Sequence, residues 1–152
     1  MLVLLLFAGV ASLSHGLTWG QDSPVQVTSL PDLPDDIGVA GPLVGLHNDV
    51  LIAAGGANFS HADDPDLFEL AKRYHDRIWV MTRENNGSRQ WRLQDNRLIE
   101  PVGYSSVVTT PFGVLCLGGE NESGPTRRAF LLRWNGTQVE VDDSSVPDLP
   151  VP

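Results

Sequence analysis

Apolar residues in this chain gather in short runs that end on paired glycines. Val50-Leu51-Ile52-Ala53-Ala54 closes on Gly55-Gly56, and Val114-Leu115-Cys116-Leu117 closes on Gly118-Gly119. Runs this short, with β-branched residues, read as buried strands, and glycines at their ends let the backbone bend or be approached closely. The two glycine pairs stand 63 positions apart, a spacing that suits a propeller blade with an enlarged loop. Strands at 41–46, 50–54, 77–82 and 90–93 fit the first unit, with hairpin signals at His47-Asn48-Asp49 and Asn85-Asn86-Gly87-Ser88. The second unit repeats the order at 104–109, 114–117, 129–134 and 138–141, with turns at Pro111-Phe112-Gly113 and Asn135-Gly136. The fold class expected is all-β, two four-stranded antiparallel blades.

A second phrase also recurs. Ser29-Leu30-Pro31-Asp32-Leu33-Pro34 returns as Ser145-Val146-Pro147-Asp148-Leu149-Pro150, and its prolines exclude both helix and central strand. The insertion at 57–75 carries the one helical signal. Asp64 caps it, Pro65 takes its first position, and Leu67, Leu70, Ala71 and Tyr74 share a face. The apolar run Leu2–Ala11 suits the core of a secretory leader cleaved near Gly16, although no Lys or Arg precedes Lys72 to supply a basic flank. The organisation expected is a leader at 1–16, a linker at 17–28, one blade at 29–95 with its long loop at 57–75, a second at 96–145, and the start of a third at 146–152.

Charge and composition narrow the partners. A net charge of −9 disfavours nucleic acid and anionic membranes, and the leader is too short for a stable membrane span. Cys116 is the sole cysteine, so an internal disulfide is impossible and a small core role is expected. No metal constellation emerges: His61, Asp63 and Asp64 are close in sequence, but nothing at recognisable spacing completes a ligand set. Sequons stand at Asn58, Asn86, Asn121 and Asn135, and the turns holding Asn86 and Asn135 are the ones expected to be exposed.

These units resemble kelch repeats, in which an aromatic follows the double glycine. Here Trp79 and Trp91 follow Gly55-Gly56, while Phe130 and Trp134 follow Gly118-Gly119. Leu30-Pro31-Asp32-Leu33-Pro34, Gly38-Val39-Ala40-Gly41-Pro42, Ala53–Phe59, His75–Val80 and Phe130–Trp134 look like segments of the cyclically permuted mutarotase family. That family includes secreted and periplasmic N-acetylneuraminate epimerases. The resemblance implies a six-bladed ring more than twice this length, of which the chain would be an N-terminal fragment. It also implies an isomerase parent needing no cofactor, a periplasmic or secreted location, and an acid sugar as partner. A fragment of two blades is expected to be inactive and to self-associate through its open faces. Copper chemistry of the galactose-oxidase kind would need a Cys, Tyr and His set that cannot be assembled here.

In such a blade, the connection after the second strand opens at one end of the ring. Residues 57–75 and 120–128 then share that opening. Mutarotation needs a general base and a general acid, and an acid sugar adds a carboxylate for a cation to hold. The candidates are Glu120 and His61 for catalysis, and Asn58, Arg73, Asn121 and Arg127 for substrate binding, with His75 and Arg128 nearby. Arg127 and Arg128 point to opposite faces if extended, so at most one would face the opening. Gly55, Gly56, Trp79, Gly118, Gly119 and Trp134 are expected to be structural. The alternative to an enzyme is a non-catalytic kelch module that uses the same loops to bind a protein or glycan.

Overall fold

The computed structural model describes residues 28–35, 38–60 and 71–151. The leader, most of the linker and the segment holding His61 and Asp64 lie outside them. The first sheet contains β1 (Leu43–His47), β2 (Val50–Ala54), β5 (Arg77–Arg83) and β6 (Arg89–Arg97), in the order β1-β2-β5-β6. The second contains β7 (Ser106–Thr110), β8 (Gly113–Leu117), β11 (Ala129–Trp134) and β12 (Val139–Asp142), in the order β7-β8-β11-β12. Every pairing is antiparallel. Two small hairpins rise from the glycine-pair ends: β3 (Ala57–Ser60) with β4 (Ala71–Tyr74), and β9 (Glu120–Asn121) with β10 (Gly124–Pro125). This is the architecture of two kelch-type propeller blades side by side.

The C-terminal end of the expected helix is strand instead, while its start from Asp64 to Leu70 lies outside the described residues. Ala71 and Tyr74, read as part of its apolar face, lie in β4. Asn58 pairs with Arg73 and Phe59 with Lys72, so the ends of the insertion extend the blade as a strand pair. The fourth strand of the first blade is also longer than expected. Its residues Arg-Gln-Trp-Arg-Leu-Gln-Asp-Asn-Arg are mostly polar, as suits the outer strand of a blade, and they give a weak apolar signal.

The repeat is visible in the hydrogen bonds. Gly55 N–H donates to Arg77 O and Gly118 N–H to Arg128 O, at 2.9 and 2.8 Å. Leu98 and Leu149 donate in the same way to Asp76 O and Arg127 O. The bridge between Ala40 and Ala57 is matched by that between Gly103 and Glu120. Leu149 in the recurring Pro-Asp-Leu-Pro phrase therefore does in the second blade what Leu98 does in the first. The earlier copy lies on the other side of the pair: Trp91 Nε1–H donates to Pro31 O at 2.9 Å, and Arg77 pairs with Asp35.

Register decides what each face meets. Leu43, Ile52, Ala54, Ile78 and Val80 share the face of the first sheet that turns to the second. Against them pack Val114, Cys116, Phe130, Leu132 and Val139, and the cluster is nearly solvent-free. Each large side chain removed from water here contributes roughly 1.5–3 kcal/mol. The innermost strands β1 and β7 are neighbours, and Leu46 N–H donates to Thr109 Oγ1 across them. At the hairpin end, Trp134 N–H donates to His47 Nδ1 (2.9 Å) and Asn48 Nδ2 to Trp134 O (3.0 Å), fastening the blades below the core. Asn48 and Asp49 adopt positive φ, as their turn demands. On the outward face of the first sheet, Val44 and Leu46 are exposed, Leu46 lining a hollow of about 660 Å³, and Val108 is exposed on that of the second.

Candidate functional site

The two risen hairpins meet over the junction between the blades. β3 follows the first glycine pair and β9 the second, so the repeat places them side by side. Alternation along β4 puts Lys72 and Tyr74 on one face and Arg73 on the other. The Lys72 face reaches Glu120 at the start of β9. Lys72 forms an ion pair with the Glu120 carboxylate, and the Tyr74 phenol donates a 2.6 Å hydrogen bond to the same oxygen, Oε1. The Lys72 ammonium also lies 4.9 Å from the centre of the Tyr74 ring and 4.3 Å from that of Tyr104. Tyr104 holds a positive φ, and its ring covers Gly41, where a Cβ would stand 2.4 Å from Tyr104 Cδ1.

The electrostatics follow from these contacts. Hydrogen bonds from Lys72 and then Tyr74 hold the Glu120 carboxyl below the usual carboxylate range, against the opposing effect of desolvation. The same bond to Glu120, then that to Tyr74, holds the Lys72 ammonium well above its ordinary value. Desolvation, then the Glu120 bond, raises the Tyr74 phenol. Glu120 is therefore a fixed carboxylate. It remains 39% exposed and Lys72 33%, so both can be reached from solution. Two exposed aromatic rings border the pair: Tyr104, and Phe59, which is directly paired with Lys72 in the β3–β4 register.

The other candidates are placed differently. Asn58 is a bracket: its Nδ2 donates to Gly38 O (3.2 Å), and His75 Nε2–H donates to its Oδ1 (2.9 Å). Arg73 lies opposite Asn58 on the face turned away from Glu120. Asn121 closes the β9–β10 turn by accepting from Ser123 N–H. Arg127 is exposed, while Arg128 pairs with Glu100 and Asp143. The structure thus gathers Glu120 with Lys72, Tyr74 and Tyr104, none of which the sequence had placed in a site. Their alternation on β4 becomes a signal only once that segment is recognised as a strand.

Comparison with known proteins points one way. No family model matches the chain. A Vibrio cholerae protein named N-acetylneuraminate epimerase is 37% identical over 114 residues, covering 70% of this chain and 28% of its own length. A Brucella suis protein of the same name is 31% identical over 130 residues, covering 78% of this chain and 32% of its own. One from Yersinia pestis is 28% identical over 113 residues, covering 69% and 27%. The solved structure of YjhT superposes with a TM-score of 0.61 at 26% identity, covering 74% of this chain and 33% of that one. The chain spans about a third of the length of the curated relatives it matches. Across its two kelch-type blades, this protein is a homologue of the N-acetylneuraminate epimerases.

Proposed function

We propose that these two blades form part of a sugar mutarotase or epimerase acting on N-acetylneuraminate or a related acid sugar, in a secreted or periplasmic protein. The observation that carries the reading is Glu120: a reachable carboxylate, kept ionised, bordered by the exposed rings of Phe59 and Tyr104. Aromatic faces suit the C–H faces of a pyranose, and a carboxylate reachable from solution can take a proton from a bound sugar hydroxyl. In mutarotation the base takes the proton of the anomeric hydroxyl while an acid protonates the ring oxygen. The ring opens, the carbonyl carbon turns its other face, and reclosure returns both protons. Glu120 fits the first role.

The relatives' names support the substrate class, and their length supports a ring with further blades. Other groups of the site would come from those blades. By itself, the 152-residue chain is proposed to self-associate through the outward faces bearing Val44, Leu46 and Val108. A stable folded monomer in analytical ultracentrifugation would contradict this. For the activity, the test is NMR exchange spectroscopy of the α and β anomers of N-acetylneuraminate with the full-length protein containing these blades. Exchange faster than the spontaneous rate supports the enzyme. Binding without acceleration supports the kelch module that only recognises a glycan.

A further inference from the structure

We propose that the two outward faces fit each other: the first blade of one copy seats on the second blade of another, head to tail, and Ser29–Pro34 enters the place that Ser145–Pro150 holds on its own blade. This contact rests on the self-association proposed above and names the faces and the segment that meet in it. The offset of 63 positions makes Leu51 and Ala53 of β2 equivalent to Val114 and Cys116 of β8, and Ile52 and Ala54 equivalent to Leu115 and Leu117. Val114 and Cys116 are buried in the junction with Ile52 and Ala54. The outward face of the first sheet is therefore the repeat counterpart of the face that the second blade already buries, and the reverse holds for the second sheet. A head-to-tail contact between copies uses the same pairing of faces and leaves each added copy with the same two faces free.

The recurring phrase supplies the specificity. In its second copy, Leu149 N–H donates to Arg127 O at 2.8 Å and Asp148 Oδ1 accepts from Ala129 N–H at 3.3 Å. In the first copy Asp32 is exposed, and among the described residues neither the Asp32 carboxylate nor the Leu33 N–H has such a partner. Leu33 shares a small pocket with Ala53 and Trp79 of the outward face, where the Arg127–Ala129 backbone of another copy would come to it. Charge agrees with this orientation. Arg83 and Arg89 stand directly opposite each other in the β5–β6 register, and neither has an ion pair among the described residues. Arg77 and Arg128 are equivalent, which makes Arg83 equivalent to Trp134 and their strand partners Arg89 and Val139 equivalent to each other. Val139 meets Gln94 across the junction, and the residue equivalent to Gln94 in the second blade is Ser144. A second copy thus brings Asp142 and Asp143, next to Ser144, toward two arginines whose like charges now face each other.

Sedimentation equilibrium of the 152-residue chain and its variants tests this, with dispersed amide spectra showing that each variant folds. The mass should rise with concentration past two chains of 16.5 kDa. Leu33→Ala should weaken the association about tenfold, the loss expected for one apolar side chain. Asp32→Ala alters an exposed residue and should weaken it about fivefold, as for one hydrogen bond. Leu149→Ala, the same change in the other copy of the phrase, should strengthen it about tenfold, because the tethered phrase then yields its place to the incoming one. A mass that stops at two chains overturns the head-to-tail contact, since a symmetric pair joins like faces. So does a Leu149→Ala variant that associates no more tightly than the unaltered chain, or an association that neither Leu33→Ala nor Asp32→Ala weakens. In each of those cases the self-association itself stands, whereas a monomer at every concentration overturns both.

Discussion

Gly45 in the innermost strand of the first blade lies so close to Val114 of the second that a Cβ on Gly45 would stand 2.5 Å from Val114 Cγ1. Val114 is fully buried, and the backbones of β1 and β8 approach because position 45 has no side chain. Gly45→Ala is expected to destabilise the chain by about 1–3 kcal/mol, the usual cost of overpacking. Val114→Ala in the same background should recover part of that loss. Urea unfolding of the two single variants and the double variant measures the coupling.

The equivalent glycines Gly55 and Gly118 should respond unequally. Both have positive φ, at 62° and 59°, so an alanine at either costs roughly 1–2 kcal/mol for the conformation. At Gly118 the added Cβ would lie 3.3 Å from its nearest neighbours, Leu149 Cδ1 and Thr126 O. At Gly55 it would lie 2.2 Å from the Val102 carbonyl oxygen, which is backbone and accepts the Gly56 N–H. Gly55→Ala is expected to be the more damaging by at least about 1 kcal/mol, measured by thermal and urea unfolding.

Gln94 holds the outer edge of the neighbouring sheet. Its Oε1 accepts from Val139 N–H at 3.3 Å, and Asn96 Nδ2 donates to Val139 O, so two amides of β6 satisfy one buried residue of β12. Gln94→Leu would leave the Val139 N–H without its acceptor, at a cost of about 1–3 kcal/mol. Gln94→Glu keeps an acceptor. Faster amide exchange at Val139 in the leucine variant, and in that variant alone, is the expected signature.

Cys116 reports on opening of the junction. It lies wholly buried between the blades, and burial pushes its thiol up to about 12. It should therefore resist a thiol reagent at pH 8 in the folded chain and react at the rate of a model thiol in 6 M guanidinium. Gly45→Ala should raise its labelling rate if the variant loosens the interface.

The strands at the centre of each blade were legible because apolar runs ending in glycine pairs have few other readings. The risen hairpin was not. Leu67, Leu70, Ala71 and Tyr74 fall at helical spacing, yet Ala71–Tyr74 pair across ten intervening residues with Ala57–Ser60, a contact that no local pattern announces. The site was legible only in part for the same reason. Glu120 could be placed from the repeat, whereas Lys72 and Tyr74 gain a common face only through the β4 register. Tyr104 enters through a positive φ rather than through any motif. Asn58 had a chemical reading and a structural one, and its bonds to Gly38 and His75 show it bracing the backbone.

Acidification bears on Glu120 in a definite direction. Its folded-state value is lowered, so the stability it contributes is present above the unfolded carboxylate value of about 4.3 and is lost as pH falls through the folded one. Tyr74→Phe removes one of the two hydrogen bonds and should move the Glu120 titration to higher pH, seen in its ¹³C resonance.

The central claim is that Glu120 accepts a proton from an acid sugar at the junction of the blades. Its most direct test compares Glu120→Gln with the unaltered full-length protein in the anomer-exchange measurement on N-acetylneuraminate. Glutamine keeps the shape and an acceptor oxygen but cannot take the proton. Exchange is predicted to slow by about 10²-fold or more, the usual contribution of a general base, with sugar binding retained. An unchanged exchange rate would contradict the account.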